Sequence, residues 1–205
     1  ITTVNHPVTD LLRSFRIPFV MIDGYDDDTT HNTVHLDNFR GAFAAVEYLI
    51  ELGHRKIGFL GGDPQWSSAI YRERGYRAAL EKYEIPWDPE LEYNGSFIHF
   101  GGLMGTELLL SRHPDMTAIF AASDDMAVGA LKKAAQLGLN VPGDLSVIGF
   151  DGHNLGQLSQ IPLTTVQTNP FMVGVNACEM LIGMLESESN EVAKVVMDVS
   201  LTVRS

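Results

Sequence analysis

Residues 141–151, VPGDLSVIGFD, constrain the fold more than any other stretch of this chain. A Pro-Gly turn feeds a short apolar run, Leu145, Val147, Ile148 and Phe150, which closes on Asp151. A compact apolar run bounded by turn residues is the pattern of a strand covered on both faces of a parallel sheet. Open α/β sheets bind ligands outside the carboxyl ends of their strands, which is where Asp151 falls. Gly149 lets the backbone pass close to another group. One acid at one strand end is as readily a helix cap as a ligand contact, but the pattern repeats. Asp23 follows Phe19-Val20-Met21-Ile22, and Ser123-Asp124 follow Ala118-Ile119-Phe120-Ala121-Ala122. Three strands therefore end in polar groups able to converge on one small molecule.

Between these strands the apolar spacing turns helical, in the alternation of βαβ units. Residues 17–23 read as a strand opened by Pro18. Asp37-Asn38 can cap a helix carrying Ala42, Ala45, Val46, Leu49 and Ile50, and Gly53 ends it. His54, Arg55 and Lys56 lie beside that helix's negative end, and Ile57-Gly58-Phe59-Leu60 is the next buried strand. Helices are predicted over 72–83, 101–111 and 126–137, with residues 117–122 a strand between the last two. After Asp151 the alternation pauses: 155–160 read as a turn and 163–166 as extended chain. Residues 171–185 form a last helix, followed by a polar loop at 186–190, and 195–203 alternate as one terminal strand. The fold class is doubly wound α/β.

Composition narrows the function. The 205 residues carry 14 basic and 26 acidic side chains, a net charge of −12, so this body repels a phosphate backbone. No apolar run approaches the ~20 residues that span a bilayer, and no basic segment followed by an apolar one marks a secretion signal. The single cysteine, Cys178, excludes an internal disulfide. Its neighbours Val173, Val175, Ala177, Met180 and Leu181 suggest a small core residue. Cytoplasm is the natural compartment.

Catalytic and metal chemistry find little support. Gly61-Gly62 lacks both the G-x-G-x-x-G spacing and G-K-[ST], so it reads as a tight turn. The Gly101-Gly102-Leu103-Met104-Gly105 cluster opens a helix with no strand directly before it and reads as local packing. Seven histidines never take metal-ligand spacing, and there are no cysteine pairs; His99, near Phe97 in a strand-to-helix loop, stays open. No G-x-S-x-G elbow exists. Asp124-Asp125 resemble a hydrolytic acid pair but fit a helix N-cap better. No cofactor or metal is expected, nor an enzyme. Arg72 is the most suggestive cation: it is placed at a helix start after an irregular stretch, and its planar fork suits vicinal hydroxyls or a carboxylate. An exposed helix arginine is the plainer alternative. Trp66 and Phe97 are either stacking faces for a ring or buried anchors.

Taken in order, these segments resemble the effector-binding core of the LacI/GalR family of bacterial transcription regulators. Residues 17–23 are similar to that family's I-P-V-V-x-I-D strand. VHLDNFRG at 34–41 resembles V-x-x-D-N-x-x-G, and GHRKIGFLGG at 53–62 resembles G-H-R-x-I-x-x-I-x-G. RERGYRAAL at 72–80, AIFAASDDMAVGA at 118–130, the segment 139–151 and PLTTV at 162–166 complete the series. Two positions depart: Ser123 stands where the family usually has Asn, and Gly152 where Asp is common.

The resemblance implies a two-lobed fold like the periplasmic sugar-binding proteins, each lobe a doubly wound parallel sheet. Residues 1–35 and 167–196 would form a partial N-terminal subdomain, and 36–166 with 197–205 the C-terminal one. An effector, a sugar or related polar metabolite, would bind between the lobes at Asn5, Asp23, Ser68, Arg72, Phe97, Ser123, Asp151 and Thr168. The family also implies a homodimer, because paired headpieces read paired half-sites. Contact with operator DNA would run only through an N-terminal helix-turn-helix headpiece. On this resemblance the residues from Ile1 would enter the first lobe at its third strand, downstream of that headpiece. The rival expectation is a solute-binding protein of a sugar transporter, which shares the fold.

Overall fold

A computed structural model describes residues 7–23, 30–152, 162–186 and 192–204. The chain divides into two compact units, a smaller one of Ile1–Asp37 with Asn169–Asp198 and a larger one of Asn38–Thr168 with Val199–Ser205. The expected turn at 155–160 lies outside the described residues, as does most of the polar loop at 186–190.

The smaller unit pairs β1 (Met21–Ile22), β2 (Thr33–Leu36) and β8 (Lys194–Met197) in the order β1-β2-β8, all parallel. Two helices accompany them, α1 (Pro7–Ser14) and α6 (Pro170–Glu186). The strand expected over 17–23 shrinks to two residues. Arg16, at φ +55°, turns the chain out of α1, and Pro18 has no N–H to give a ladder. Pairing starts only where Met21 N–H reaches the Asn32 carbonyl.

The larger unit has a six-stranded sheet in the order β4-β3-β5-β6-β7-β9. Its strands are β3 (Ile57–Gly61), β4 (Glu92–Asn94), β5 (Ala118–Ala121), β6 (Ser146–Asp151), β7 (Thr164–Gln167) and the antiparallel β9 (Ser200–Thr202). Its helices are α2 (Asn38–Glu51), α3 (Ser67–Lys82), α4 (His99–Arg112) and α5 (Asp124–Gln136). Successive residues of β3 show the double winding. The Phe59 ring stacks on Tyr76 of α3, while a side chain at Gly58 would meet Leu109 of α4 from the other face. β3 is buried throughout, as a central strand must be. At the amino ends, His54 bridges the hydroxyls of Thr117 (2.8 Å) and Ser146 (3.0 Å), and burial lowers its pKa below the ordinary 6.5. Arg55 donates to the Ile50 carbonyl at the end of α2.

Three further expectations need correction. The 195–203 segment is two strands in two sheets, because the chain passes from one unit to the other between Asp198 and Val199. The helix expected at 72 begins at Ser67, where Ser67, Ser68 and Ala69 are already buried. Cys178 is exposed rather than core. α6 is apolar on most of its circumference, yet among its described side chains only Val173 is buried, so apolar neighbours in sequence did not identify the packed face.

Candidate functional site

At the carboxyl edge of the larger sheet, Arg72 is the hub. It sits in the second turn of α3 and is 5% exposed, which removes the reading as a surface helix arginine. Its Nε donates to Asn38 Oδ1 at 2.8 Å, and one terminal nitrogen donates to the Ala122 carbonyl (2.5 Å) and to Asp151 Oδ1 (3.1 Å). The guanidinium carbon lies 3.7 Å from the Phe150 ring centroid and 5.6 Å from that of Phe97. A buried charge must be paired and hydrogen-bonded to be tolerated. Here one side chain ties the start of α2 to the ends of β5 and β6.

Asp151 reaches Arg72 from a backbone conformation that L-residues rarely adopt, φ +118°, followed by Gly152 at φ +73°. Glycine adopts such a φ freely, but the Asp151 conformation costs about 1–3 kcal/mol and persists only where its surroundings over-determine it. β7 and the residue after it supply that restraint. Thr168 donates both its hydroxyl (2.7 Å) and its N–H (3.3 Å) to the Asp151 carbonyl. Gln167 Nε2 donates to the Gly152 carbonyl, and Gly152 N–H donates to the Thr165 hydroxyl. The Thr165 hydroxyl in turn donates to Asp124 Oδ1 at 2.5 Å.

Asp124 is fully buried and is not the helix cap expected of it. Ser123 caps α5 instead: its backbone is extended, and its hydroxyl accepts from Met126 N–H at 3.2 Å. Asp124 is the next residue, already helical, and its carboxylate turns toward β7. The close approach inferred at Gly149 is to this group, since a Cβ there would lie 2.3 Å from Asp124 Oδ1.

Phe97 is set by a tight loop in which Ser96 and Phe97 both have positive φ, +55° and +61°. Asn94 Oδ1 accepts from Ser96 N–H. The ring rests on Gly62, where a Cβ would come within 2.1 Å of it. The Ser123 hydroxyl lies 3.5 Å from the Phe97 carbonyl. Ser68 is buried one turn before Arg72 on the same face of α3. His99 is the first residue of α4 and only half-buried, and Trp66 is 47% exposed.

The larger unit thus brings together Ser68, Arg72, Phe97, Ser123, Asp151 and Thr168. Asp23 belongs to the smaller unit, at φ +56° with its N–H on the Val34 carbonyl, and Asn5 lies outside the described residues. Asn38, Phe150, Thr165 and Gln167 were missed as site residues. Asn38 and Thr165 carried a signal in the DN and PLTT segments, but Asn38 read as a helix cap and Thr165 as plain extended chain. Among the described residues no group of three or more His, Cys, Asp or Glu side chains could hold a metal ion. Chemically, the edge offers a part-exposed carboxylate able to accept from hydroxyls, beside an aromatic ring able to cover an apolar ring face.

Residues 46–205 match the periplasmic binding protein-like domain family. The HTH-type transcriptional repressor CytR of Escherichia coli strain K12 is 37% identical over 187 residues, 91% of this chain and 55% of that protein. A crystallised regulatory protein of the LacI family from Chloroflexus aggregans superposes with a TM-score of 0.90 at 29% identity, covering 100% of this chain and 73% of that one. The chain belongs to this family, in its LacI-type branch. This LacI-type core also resembles the transcriptional regulator CelR of Thermobifida fusca, 33% identical over 83% of the chain and 50% of that protein. A solved CelR–cellobiose complex gives a TM-score of 0.95 at 29% identity, covering 99% of this chain and 63% of that one. The chain spans about half the length of these curated relatives. The proteins named here are regulators, and nothing in them favours a transporter's solute-binding protein.

Proposed function

We propose that this LacI-type core senses a small polyhydroxylated molecule, most simply a sugar, for a transcription regulator whose DNA reader is a separate N-terminal headpiece. The observation that carries the reading is the buried Arg72 pinned to Asp151, with Phe97 beside it, at the carboxyl edge of the sheet. The named CelR–cellobiose complex supports a sugar in a relative of this kind. Ser68, Arg72, Phe97, Ser123, Asp151 and Thr168 are the contacts we assign in the larger unit. Asn5 rests on the family resemblance alone, and Asp23 on that resemblance and on its place at the end of β1. The core is a homodimer in this reading, acts in the cytoplasm and carries no catalysis of its own. No helix among the described residues is long and apolar enough to cross a membrane.

An effector can move DNA binding only through different affinities for two conformational states. Operator retention by the complete protein, measured with and without each of a set of sugars, tests this directly. One sugar is expected to shift operator affinity about 5–150-fold, the usual range of such coupling. Retention that no sugar alters, in a protein that binds its operator, would defeat the proposal.

A further inference from the structure

The opposite end of the same sheet holds a cavity of about 530 Å³. That volume lies in the range of sites that take small molecules. Val147 and Ile148, near the start of β6, line it together with Leu52 and Val203. Leu52 is 59% exposed and Val203 53%. It is distinct from the Asp151 edge: Ile148, the lining residue of β6 nearest that edge, lies three residues before Asp151, about 10 Å at 3.3 Å per residue, and no residue of the Arg72 network lines the cavity.

The charge at this cavity is specific. Among the described residues Arg204 is the one charged side chain in the lining, in a chain whose net charge is −12. It is held in place rather than trailing. Its N–H donates to the Thr164 hydroxyl at 3.0 Å, and its guanidinium donates to the Leu163 carbonyl at 2.5 Å. A fixed guanidinium beside apolar side chains, with no carboxylate among the described lining residues, complements a small molecule with an apolar body and one acidic end.

We propose that this cavity binds an amphipathic carboxylic acid, its tail against Val147, Ile148 and Leu52 and its carboxylate on Arg204. Octanoate is the probe, with octanol as its uncharged counterpart. The binding is read from the methyl NMR signals of the full chain. Octanoate is expected to move the Leu52, Val147, Ile148 and Val203 methyls saturably and to bind at least about tenfold more tightly than octanol, the worth of one charge-assisted hydrogen bond. Arg204→Gln should lose that preference. Leu52→Asp, a change at an exposed position, should abolish octanoate binding while the rest of the spectrum stays folded. Equal binding of octanoate and octanol, or indifference to Arg204→Gln, would overturn the acid specificity. Shifts confined to other methyls, or no saturation, would overturn the site.

Discussion

In the larger unit, helices close over both faces of the sheet, and Tyr76, Ile119, Phe120, Phe150 and Ile148 are almost wholly buried. In the smaller unit, the buried apolar side chains among the described residues are Met21, Val34 and Val173. Its α6 presents Phe171, Ile182 and Leu185 at 76%, 51% and 67% exposure, and β8 presents Val196 at 56%. The two regions are comparably apolar in sequence and differ in what covers them. Hydrophobic stabilisation follows area removed from water rather than composition, so the stability of this chain resides in the larger unit. That is also where the Arg72 network needs a rigid frame, because a strained Asp151 backbone holds only if its surroundings do not yield.

The comparison breaks most visibly at the cores. Phe120→Ala, which empties a fully buried position, should cost about 3–5 kcal/mol. Leu185→Ala in α6 should stay within about 0.5 kcal/mol. Urea denaturation of both variants checks the pair, and similar costs would mean that the smaller unit is as well packed as the larger. A smaller effect is expected at the hub. Arg72→Ala removes one hydrogen-bond donor from each of Asn38, the Ala122 carbonyl and a part-exposed Asp151, a loss of about 1–3 kcal/mol. Arg72→Lys should recover little of it, since an ammonium cannot reproduce the planar fork. A lysine variant as stable as the wild type would show that charge alone matters there.

The smallest effect concerns pH. Burial lowers the His54 pKa below 6.5, so as pH falls through 6.5 the unfolded chain takes up this proton before the folded one. His54 therefore subtracts stability progressively below pH 6.5 and contributes nothing above it. His54→Gln, which can still engage Thr117 and Ser146, should show a shallower loss between pH 7.5 and 5.5 in denaturant midpoints. An unchanged slope would remove His54 from that titration.

What the residues disclose and what they hide follow the same physics. β3, β5 and β6 are legible because strands buried on both faces must be continuously apolar. β4, Glu92-Tyr93-Asn94, escapes notice because an edge strand can carry polar side chains. The first turn of α3 reads as loop because Trp66, its N-cap, makes no side-chain cap bond. The β8–β9 division is invisible because alternation looks the same whichever sheet receives it. Arg72, Phe97 and Asp151 could be singled out by residue type and by position at strand ends and helix starts. The Thr165–Asp124 bond could not, since it joins residues 41 positions apart and depends on β6 and β7 being neighbours.

Thermal unfolding of the chain and of Arg72→Ala, against cellobiose, ribose, other sugars, sugar phosphates and purines, tests the central claim most directly. A ligand at one hundred times its dissociation constant adds about 2.7 kcal/mol of stability if it ignores the unfolded chain. The account predicts that at least one sugar gives such a gain in the wild type and that the gain disappears in Arg72→Ala. A sugar that stabilises both equally would place the effector elsewhere, and a panel without any stabilising sugar would contradict the assignment of a sugar sensor.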